Sequence, residues 1–187
     1  MEDSFSLQPD KWVDNYADKL YTYAMARVAN AGAAEDIVQE TFLSAWKARD
    51  TYNKLASEKT WLYVICKNKI TDYYRRQPKF TVPLNTGEED VYFDQTDHWT
   101  ESTRPQNWPI DYHGTMERKE FYKILYLCKS KLKEFQQRVF ALKYLEELGS
   151  DEICDTLSIS KENYWVLLHR AKLHIRACLE KNWLHIK

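Results

Sequence analysis

Apolar residues recur with a helical period through the first part of the chain. Steps of three and four place such residues on one face of an α-helix. We predict helices over 11–30, 33–50 and 60–77, with Gly32 in the first break and Pro78 ending the third. The stripes are Ile37, Val38, Phe42, Ala45 and Trp46 in the second helix, and Leu62, Ile65 or Cys66, Lys69 or Ile70, and Tyr73 in the third.

The helical period returns from Met116. The stretch "LKEFQQRVFALKYLEEL" continues a helix that Gly149 ends, and Ser150 suits the N-cap of the following "DEICDTL". "SIS" then turns the chain, and Ser160 caps a long helix through about Asn182. A short helix, a tight turn and a second capped helix predict a helix-turn-helix. The inward stripe of the long helix is Tyr164, Leu168, Ala171, Ile175 and Cys178 or Leu179.

The segment between these two regions, residues 78–115, differs in composition. Its prolines, glycines and acidic residues disfavour long regular structure. Its aromatic residues exceed what an inert spacer needs, so it either docks on a partner or folds back over its own domains, and both alternatives stay open. No strand pattern occurs, so we expect an all-α fold of two small helical domains, residues 10–77 and 116–183, joined by this extended linker.

Charge is distributed unevenly along the 187 residues, although the formal net charge is only −1. Residues 1–77 are neutral, 78–116 carry −5 and 117–187 carry +4. Inside the first block, 59–77 holds five basic residues against Asp72 alone. Two basic patches are therefore separated by an acidic middle. No apolar run approaches a membrane span and the first residues are acidic, which favours a cytoplasmic protein.

Catalytic and metal chemistry find little support in the sequence. The four cysteines are scattered without a C-x-x-C pair, so we expect reduced, half-buried thiols rather than disulfides or a zinc site. His174 and Cys178 are spaced i, i+4, but no third ligand follows at fixed spacing. The common nucleotide, hydrolase and metalloprotease motifs are absent. We predict no catalytic residue, no metal, no cofactor and no small-molecule substrate.

Two segments together resemble sigma-70-type RNA polymerase sigma factors of the extracytoplasmic-function group. "AEDIVQETFLSAWKARDTYN…KTWLYVICKNKITDYYRRQ" looks like their second region, and "FQQRVFALKYLEELGSDEICDTLSISKENYWVLLHRAKLHIRACL" looks like their fourth. The resemblance implies a promoter-recognition subunit without enzymatic activity. Its first lobe would dock on the β′ clamp helices of core RNA polymerase and open the promoter −10 element, and its second lobe would bind the −35 duplex and the β flap.

The resemblance also implies roles for residues of the first lobe. Asp36, Gln39 and Glu40 match the polymerase-docking helix, with a merely solvated acidic face as the competing interpretation. Unpaired bases call for aromatic faces beside cations, which suits the aromatic, basic helix 60–77. Tyr52, Lys54, Trp61, Tyr63 and Asn68 are candidates to hold an extruded base, and Lys59, Lys67, Lys69, Arg75 and Arg76 to hold phosphates. Trp61 and Tyr73 have burial in the core as the alternative role.

In the second lobe, we expect Lys161, Glu162, Asn163, Trp165, Val166, His169, Arg170 and Lys172 on or near the outward surface of the last helix. Lys161, Asn163, Trp165, His169, Arg170 and Lys172 are the candidate −35 contacts. The sequence departs from the family at Trp165, Val166 and Leu167, because apolar groups can touch thymine methyls but cannot make bidentate base contacts. An exposed "WVLL" could instead bind a partner.

Other interpretations compete with a sigma factor. A stand-alone helix-turn-helix regulator would leave the aromatic, basic helix and the acidic linker unexplained, and an enzyme would lack a catalytic constellation. The resemblance further implies control by an anti-sigma partner, often membrane-bound, that masks the polymerase and DNA surfaces. The promoter sequence, the inducing signal and the identity of that partner do not follow from the residues.

Overall fold

A computed structural model describes residues 7–77 and 115–184, with side chains in the second range described from Glu120 onwards. The described residues are helical and contain no strand, and none of their helices is long and apolar enough to cross a membrane. The predicted linker lies almost wholly outside the described residues. The seven α-helices of the described ranges are α1 (Trp12–Val28), α2 (Ala31–Ala48), α3 (Glu58–Arg76), α4 (Thr115–Ser130), α5 (Glu134–Tyr144), α6 (Ser150–Leu157) and α7 (Lys161–Asn182).

The chain divides into two compact units. One comprises Met1–Lys79 with Ala141–Ser158, and the other comprises Phe80–Phe140 with Ile159–Lys187. The segment Ala141–Ser158 thus belongs spatially to the first unit, although in sequence it lies within 116–183. The all-α prediction is confirmed, and each unit has its own buried residues.

Two residues, Ala29 and Asn30, separate α1 from α2. Ala29 adopts the left-handed conformation, with φ 52°, and its N–H donates to the Met25 carbonyl oxygen. Asn30 caps α2, because its Oδ1 accepts from the Ala33 N–H at 2.9 Å. The prediction that Gly32 sits in the break is wrong, since Gly32 lies in the first turn of α2. An asparagine cap and a left-handed residue before it are enough to end one helix and begin the next.

Helices α1, α2 and α3 pack together around a shared core. Leu20 and Ala24 of α1 are fully buried, as are Leu62, Cys66 and Ile70 of α3. The buried stripe of α3 extends to Tyr74, whose hydroxyl donates to the Arg27 carbonyl oxygen at 2.7 Å. The predicted stripe is therefore confirmed except at its end, where Tyr74 rather than Tyr73 is buried, because a step of four keeps the stripe in line with Ile70.

Trp46 contradicts the predicted inward stripe of α2. Its side chain is exposed, and the Arg49 guanidinium lies 4.4 Å from the centre of its ring. Ile37, Val38 and Ala45 face the core as predicted. The stripe of α2 therefore ends before Trp46, which leaves an indole on the surface.

The helices predicted for the helix-turn-helix segment are present, with two boundary differences. Helix α5 ends at Tyr144 rather than running to Gly149, and Gly149 is the N-cap of α6, with Ser150 its first helical residue. Ser158 takes a left-handed conformation after α6. Ser160 caps α7 as predicted, because its Oγ accepts from the Asn163 N–H at 3.2 Å.

The core of the second unit is centred on α4 and α7. Its buried residues are Cys128, Leu132, Ala171, Ile175 and Leu179. Cys128 and Cys178 form a disulfide with their Cα atoms 5.6 Å apart. The expectation of four reduced cysteines is wrong for this pair, because packing of α4 on α7 joins residues 50 positions apart. Cys66 and Cys154 are buried and outside this disulfide, and burial raises the pKa of the Cys66 thiol to about 11.

A buried carboxylate joins the Ala141–Ser158 segment to α1 and α3. Glu146 is 2 % exposed, and its Oε1 accepts from the Tyr23 hydroxyl at 2.9 Å and from Arg27 Nε. Arg27 also donates to the Leu145 carbonyl oxygen at 3.0 Å, and Lys67 Nζ donates to the Glu146 carbonyl oxygen at 2.8 Å. Two cations from separate helices thus neutralise one buried acid.

Replacing Glu146 with alanine should destabilise the first unit strongly. The Arg27 guanidinium would remain buried without its carboxylate, which typically costs about 3–5 kcal/mol of unfolding free energy. Urea unfolding followed by tryptophan fluorescence measures the loss. Glu152→Ala, an exposed glutamate of α6, serves as the control and should cost less than about 1 kcal/mol. Equal small effects of both changes would contradict a buried ionic anchor.

The disulfide should form when the protein is purified without reductant. A non-reducing digest analysed by mass spectrometry should then join the peptides of Cys128 and Cys178 and leave Cys66 and Cys154 as thiols. Reduction should lower the unfolding free energy of the second unit by about 2–4 kcal/mol, because the unfolded chain regains its freedom. A Cys178→Ser variant should not respond to reductant. A digest without the linked peptide would contradict the bond.

Candidate DNA- and polymerase-binding surfaces

The loop before α3 is built around a row of aromatic rings. The Trp61 ring centre lies 5.2 Å from that of Tyr52 and 6.0 Å from that of Trp12. The Tyr52 hydroxyl donates to the Ala56 carbonyl oxygen, which closes the loop on itself. At its tip Lys54 has φ 58° and Leu55 is 84 % exposed. Tyr52 and Trp61 are both half-buried, so the structure brings them together, with Lys54 nearby in the same loop.

The candidate residues of α3 fall into three rows, because a helix returns to the same direction after four or seven residues. Row A contains Trp61, Asn68 and Arg75. Row B contains Lys59, Tyr63 and Lys67, and row C contains Lys69 and Arg76. The candidate base contacts and the candidate phosphate contacts are thus spread over three directions of the helix.

Row B lies against other parts of the first unit. The Tyr63 ring packs edge-on against Tyr23, with centres 5.0 Å apart, and Lys59 Nζ lies 5.9 Å from the centre of the Tyr63 ring. Burial raises the pKa of the Tyr63 hydroxyl. Lys67 Nζ lies 3.7 Å from Glu146 Oε2. Tyr63 and Lys67 therefore already have protein partners.

Row C faces α2. Lys69 Nζ lies 3.6 Å from Glu40 Oε2, and Arg76 NH1 lies 3.5 Å from Glu40 Oε1. These pairs are partly exposed and individually weak. They nevertheless join a candidate polymerase contact to two candidate DNA contacts, a link that the sequence did not reveal.

Row A is the most open of the three. Asn68 and Arg75 are exposed, and Arg75 NH1 lies 3.6 Å from Asp72 Oδ1 on the same helix. Trp61 lies at the N-terminal end of this row, beside the loop. The row therefore presents a half-buried aromatic ring, followed by an exposed amide and an exposed guanidinium.

An amphipathic face of α2 carries the candidate polymerase contacts. Asp36 and Gln39 are exposed, whereas Glu40 is half-buried and paired with α3. Leu43 and Trp46 are also exposed, at 54 % and 49 %. The sequence analysis did not identify Leu43 or Trp46 as surface residues. The signal was present, because each follows an exposed polar residue, Asp36 or Gln39, by seven positions and so lies on the same side of the helix.

The candidate −35 residues of α7 are not all on the surface. Lys161, Trp165, His169 and Lys172 are exposed, and Asn163 is half-buried. Arg170 is only 5 % exposed, so its expected outward placement is wrong. It lies three residues after Leu167 and three before Leu173, which are both buried, so this side of α7 is covered as well as the side of Tyr164 and Leu168.

The predicted apolar surface of α7 is also smaller than expected. Leu167 is buried and Val166 is half-buried, which leaves Trp165, at 58 % exposed, as the large apolar residue on this side. The Trp165 ring packs edge-on against Tyr164, with centres 5.0 Å apart. A single indole is thus presented near the N-terminus of α7. Glu162 lies in the same turn, where backbone hydrogen bonding and Ser160 lower the pKa of its carboxyl.

Comparison with known proteins places both regions of the chain. Residues 12–80 match the family model of Sigma-70 region 2, and residues 122–175 match that of Sigma-70, region 4. A probable RNA polymerase sigma factor of Haemophilus influenzae is 34% identical over 169 residues, covering 87% of this chain and 85% of that protein. The chain belongs to the sigma-70 family.

Further relatives place this sigma factor in the extracytoplasmic-function group. The extracytoplasmic-function sigma factor SigW of Bacillus subtilis is 28% identical, with 88% of this chain and 84% of SigW covered. A solved structure of CnrH in complex with the cytosolic domain of CnrY aligns over 93% of this chain and 88% of that one, at 19% identity and a TM-score of 0.41. The group assignment rests on the sequence relatives. Sigma factors are initiation factors, so the prediction of a protein without enzymatic activity is confirmed.

Proposed function

We propose that this sigma factor directs core RNA polymerase to its promoters by dividing three tasks among three helices. The face of α2 that carries Asp36 and Gln39 docks on the β′ clamp helices. Row A of α3 and the preceding loop hold unpaired −10 bases. The N-terminal half of α7 reads the −35 duplex, and the second unit also contacts the β flap. The observation that carries the proposal is the presence of both sigma regions, in family order, in one chain.

The chemistry of row A suits an unpaired strand. An unpaired strand offers flat bases and phosphates, and row A offers an indole, an amide and a guanidinium in series. Stacking on an aromatic ring contributes roughly 1–3 kcal/mol per base, and each phosphate contact adds salt dependence. One cation of row B and both cations of row C pair with acids of other segments, Glu146 and Glu40, whereas Arg75 pairs within its own helix, with Asp72. We therefore assign rows B and C a smaller share of the binding.

The docking face of α2 combines charge with apolar area. Asp36 supplies a carboxylate for basic groups on the clamp, while Leu43 and Trp46 supply surface that gains from leaving water. Protein interfaces commonly place such an apolar patch beside polar groups. We therefore add Leu43 and Trp46 to the docking residues.

The reading surface of α7 is narrow. Lys161, Asn163 and Trp165 lie near its N-terminus, where residues of a recognition helix reach base edges. Trp165 can contact thymine methyl groups, whereas Asn163 can make a bidentate contact with adenine. His169 and Lys172, one to two turns further on, suit phosphates. Arg170 is buried, so we assign it a structural role instead.

Location and control follow from the proposed task. Transcription takes place in the cytoplasm, so we propose that the protein acts there. We further propose that an anti-sigma factor, in some cells membrane-bound, holds it inactive by covering the α2 and α3 surfaces. No small-molecule substrate is required.

The proposal is tested by reconstitution. Purified protein added to core polymerase should co-migrate with it and yield specific run-off transcripts from a genomic library. A stand-alone regulator would instead bind specific duplex DNA without polymerase and leave start-site selection unchanged, which would overturn the proposal.

Row A can be separated from row C by paired substitutions. Asn68→Ala with Arg75→Ala should lower the yield of open complexes about 10-fold or more, because an amide and a phosphate contact are lost. Permanganate footprinting of the −10 thymines measures opening, and co-migration measures binding to core polymerase, which should persist. Lys69→Ala with Arg76→Ala is the matched control from row C and should lower opening less than 3-fold. A stronger effect of the control pair would contradict the row assignment.

The docking face is tested by charge reversal on α2. Asp36→Arg with Gln39→Ala should weaken binding to core polymerase about 10-fold or more, since a rim charge of the wrong sign is repelled. Asp18→Arg with Asn15→Ala is the control, since these two exposed residues of α1 have the same spacing and undergo the same charge reversal together with the loss of one side-chain amide. Fluorescence anisotropy of the labelled protein gives both affinities. Unchanged binding of the α2 variant would reduce this face to ordinary surface.

A further inference from the structure

Glu58 is a buried acid that the sequence did not single out. It lies in the first turn of α3, and only 9 % of its surface is exposed. Its Oε1 accepts from the Gln8 N–H at 2.6 Å and from Trp12 Nε1 at 2.5 Å, and its Oε2 accepts from the Tyr16 hydroxyl at 3.2 Å. Three donors from the N-terminal segment and α1 therefore converge on one carboxylate.

This arrangement needs a physical reason, because burying a charge costs free energy unless the charge is hydrogen-bonded. Part of the compensation comes from the N-terminus of α3, where a carboxylate interacts favourably with the helix dipole. The rest comes from the three donors. Burial, together with the Glu58 charge and hydrogen bond, raises the pKa of the Tyr16 hydroxyl. The carboxylate thus holds Trp12 and Tyr16 against the start of α3.

Trp12 connects this anchor to the aromatic row. It is 3 % exposed, and its ring tilts at 59° against that of Trp61, which in turn tilts at 50° against that of Tyr52. Fixing the indole of Trp12 through its N–H limits the positions that Trp61 can take. The hydrogen bonds of the carboxylate run to Gln8, Trp12 and Tyr16, and of these residues Trp12 packs on Trp61. It acts through one ring on the next.

We infer that Glu58 is a positioning residue for base capture: its hydrogen bond to Trp12 Nε1 holds Trp12 so that Trp61 and Tyr52 stay in place to receive an extruded −10 base. The inference rests on the proposed function, because it requires that this loop and row A hold unpaired promoter DNA. A pre-positioned ring pays less ordering entropy when a base stacks on it. Loss of the anchor should therefore weaken capture of the base more than binding to polymerase.

Substitutions at Glu58 can separate the effect of its hydrogen bonds from the effect of its negative charge. A glutamine at this position can keep its carbonyl oxygen towards Gln8 and Trp12 and turn its NH₂ towards the Tyr16 oxygen, which can accept. Glu58→Gln should therefore preserve the anchor, whereas Glu58→Ala removes it. Trp12→Phe keeps a ring but lacks the N–H, and it provides a second test should Glu58→Ala fold poorly. Tyr16→Phe removes only the longest of the three bonds and is the control.

The experiment measures open-complex lifetime of reconstituted holoenzyme on a promoter and on a series of copies, each with one abasic site in the non-template −10 strand. The wild-type holoenzyme should lose lifetime most at one position, which identifies the captured base. On intact promoter, Glu58→Ala and Trp12→Phe should shorten the lifetime about 5- to 10-fold, and Glu58→Gln and Tyr16→Phe less than 2-fold. On the copy lacking the captured base, all variants should match wild type.

The outcomes separate the inference from the proposed function. If Glu58→Ala shortens the lifetime equally with and without the captured base, Glu58 stabilises the fold only and the inference is overturned. The same holds if Glu58→Gln is as impaired as Glu58→Ala. If no abasic position shortens the wild-type lifetime, base capture itself is refuted, whatever Glu58 does. Thermal melting and binding to core polymerase are measured for each variant. For Glu58→Gln and Trp12→Phe, the melting temperature should stay within a few degrees of wild type and the affinity for core polymerase within 2-fold.

Discussion

Helix α3 can bury only one stripe, and most of the first unit follows from that constraint. Leu62, Cys66, Ile70 and Tyr74 occupy the stripe, and the 3.6-residue period then divides the remaining side chains among three directions. Two of these directions meet protein, at Glu146 and at Glu40. The third faces solvent with Trp61, Asn68 and Arg75. A helix that is aromatic and basic all round in sequence thereby becomes a helix with one open face.

Two buried carboxylates then fix what surrounds α3. Glu58 ties the N-terminal segment and α1 to its first turn, and Glu146 ties Arg27 of α1 and Lys67 of α3 to the Ala141–Ser158 segment. Each is paired with several donors, as a buried charge requires. The rings of Trp12 and Trp61 pack together beside the Glu58 anchor, and those of Tyr23 and Tyr63 pack together beside the Glu146 anchor, so each flank of α3 carries an aromatic pair next to a buried acid.

Features that depend on residues close in sequence could be predicted, whereas features that depend on contacts between elements distant in sequence could not. The all-α class, the Ser160 cap and the inward stripe of α7 follow from local periodicity and capping chemistry. The exposure of Trp46, the burial of Arg170 and the Cys128–Cys178 bond depend on which element lies opposite. Glu58 carried no signal at all, because a glutamate in the first turn of a helix is ordinary and its donors lie more than 40 residues earlier.

The acids that pair with the basic residues of α3 also determine which of those residues can bind DNA phosphates. Six basic side chains in the loop and on α3 are candidates for DNA, but a phosphate must compete with any acid that already pairs with them. If Lys67 turned towards DNA, Glu146 would lose one of two cations while remaining buried, and the desolvation cost would oppose the move. Lys69 and Arg76 lose only a partly exposed pair with Glu40, which costs little. Arg75 lies on the open face and likewise loses only a partly exposed pair, with Asp72 of its own helix. The phosphate contacts of this helix should therefore be supplied first by Arg75, Lys69 and Arg76, and last by Lys67, an order set by the acids of the fold rather than by the number of positive charges.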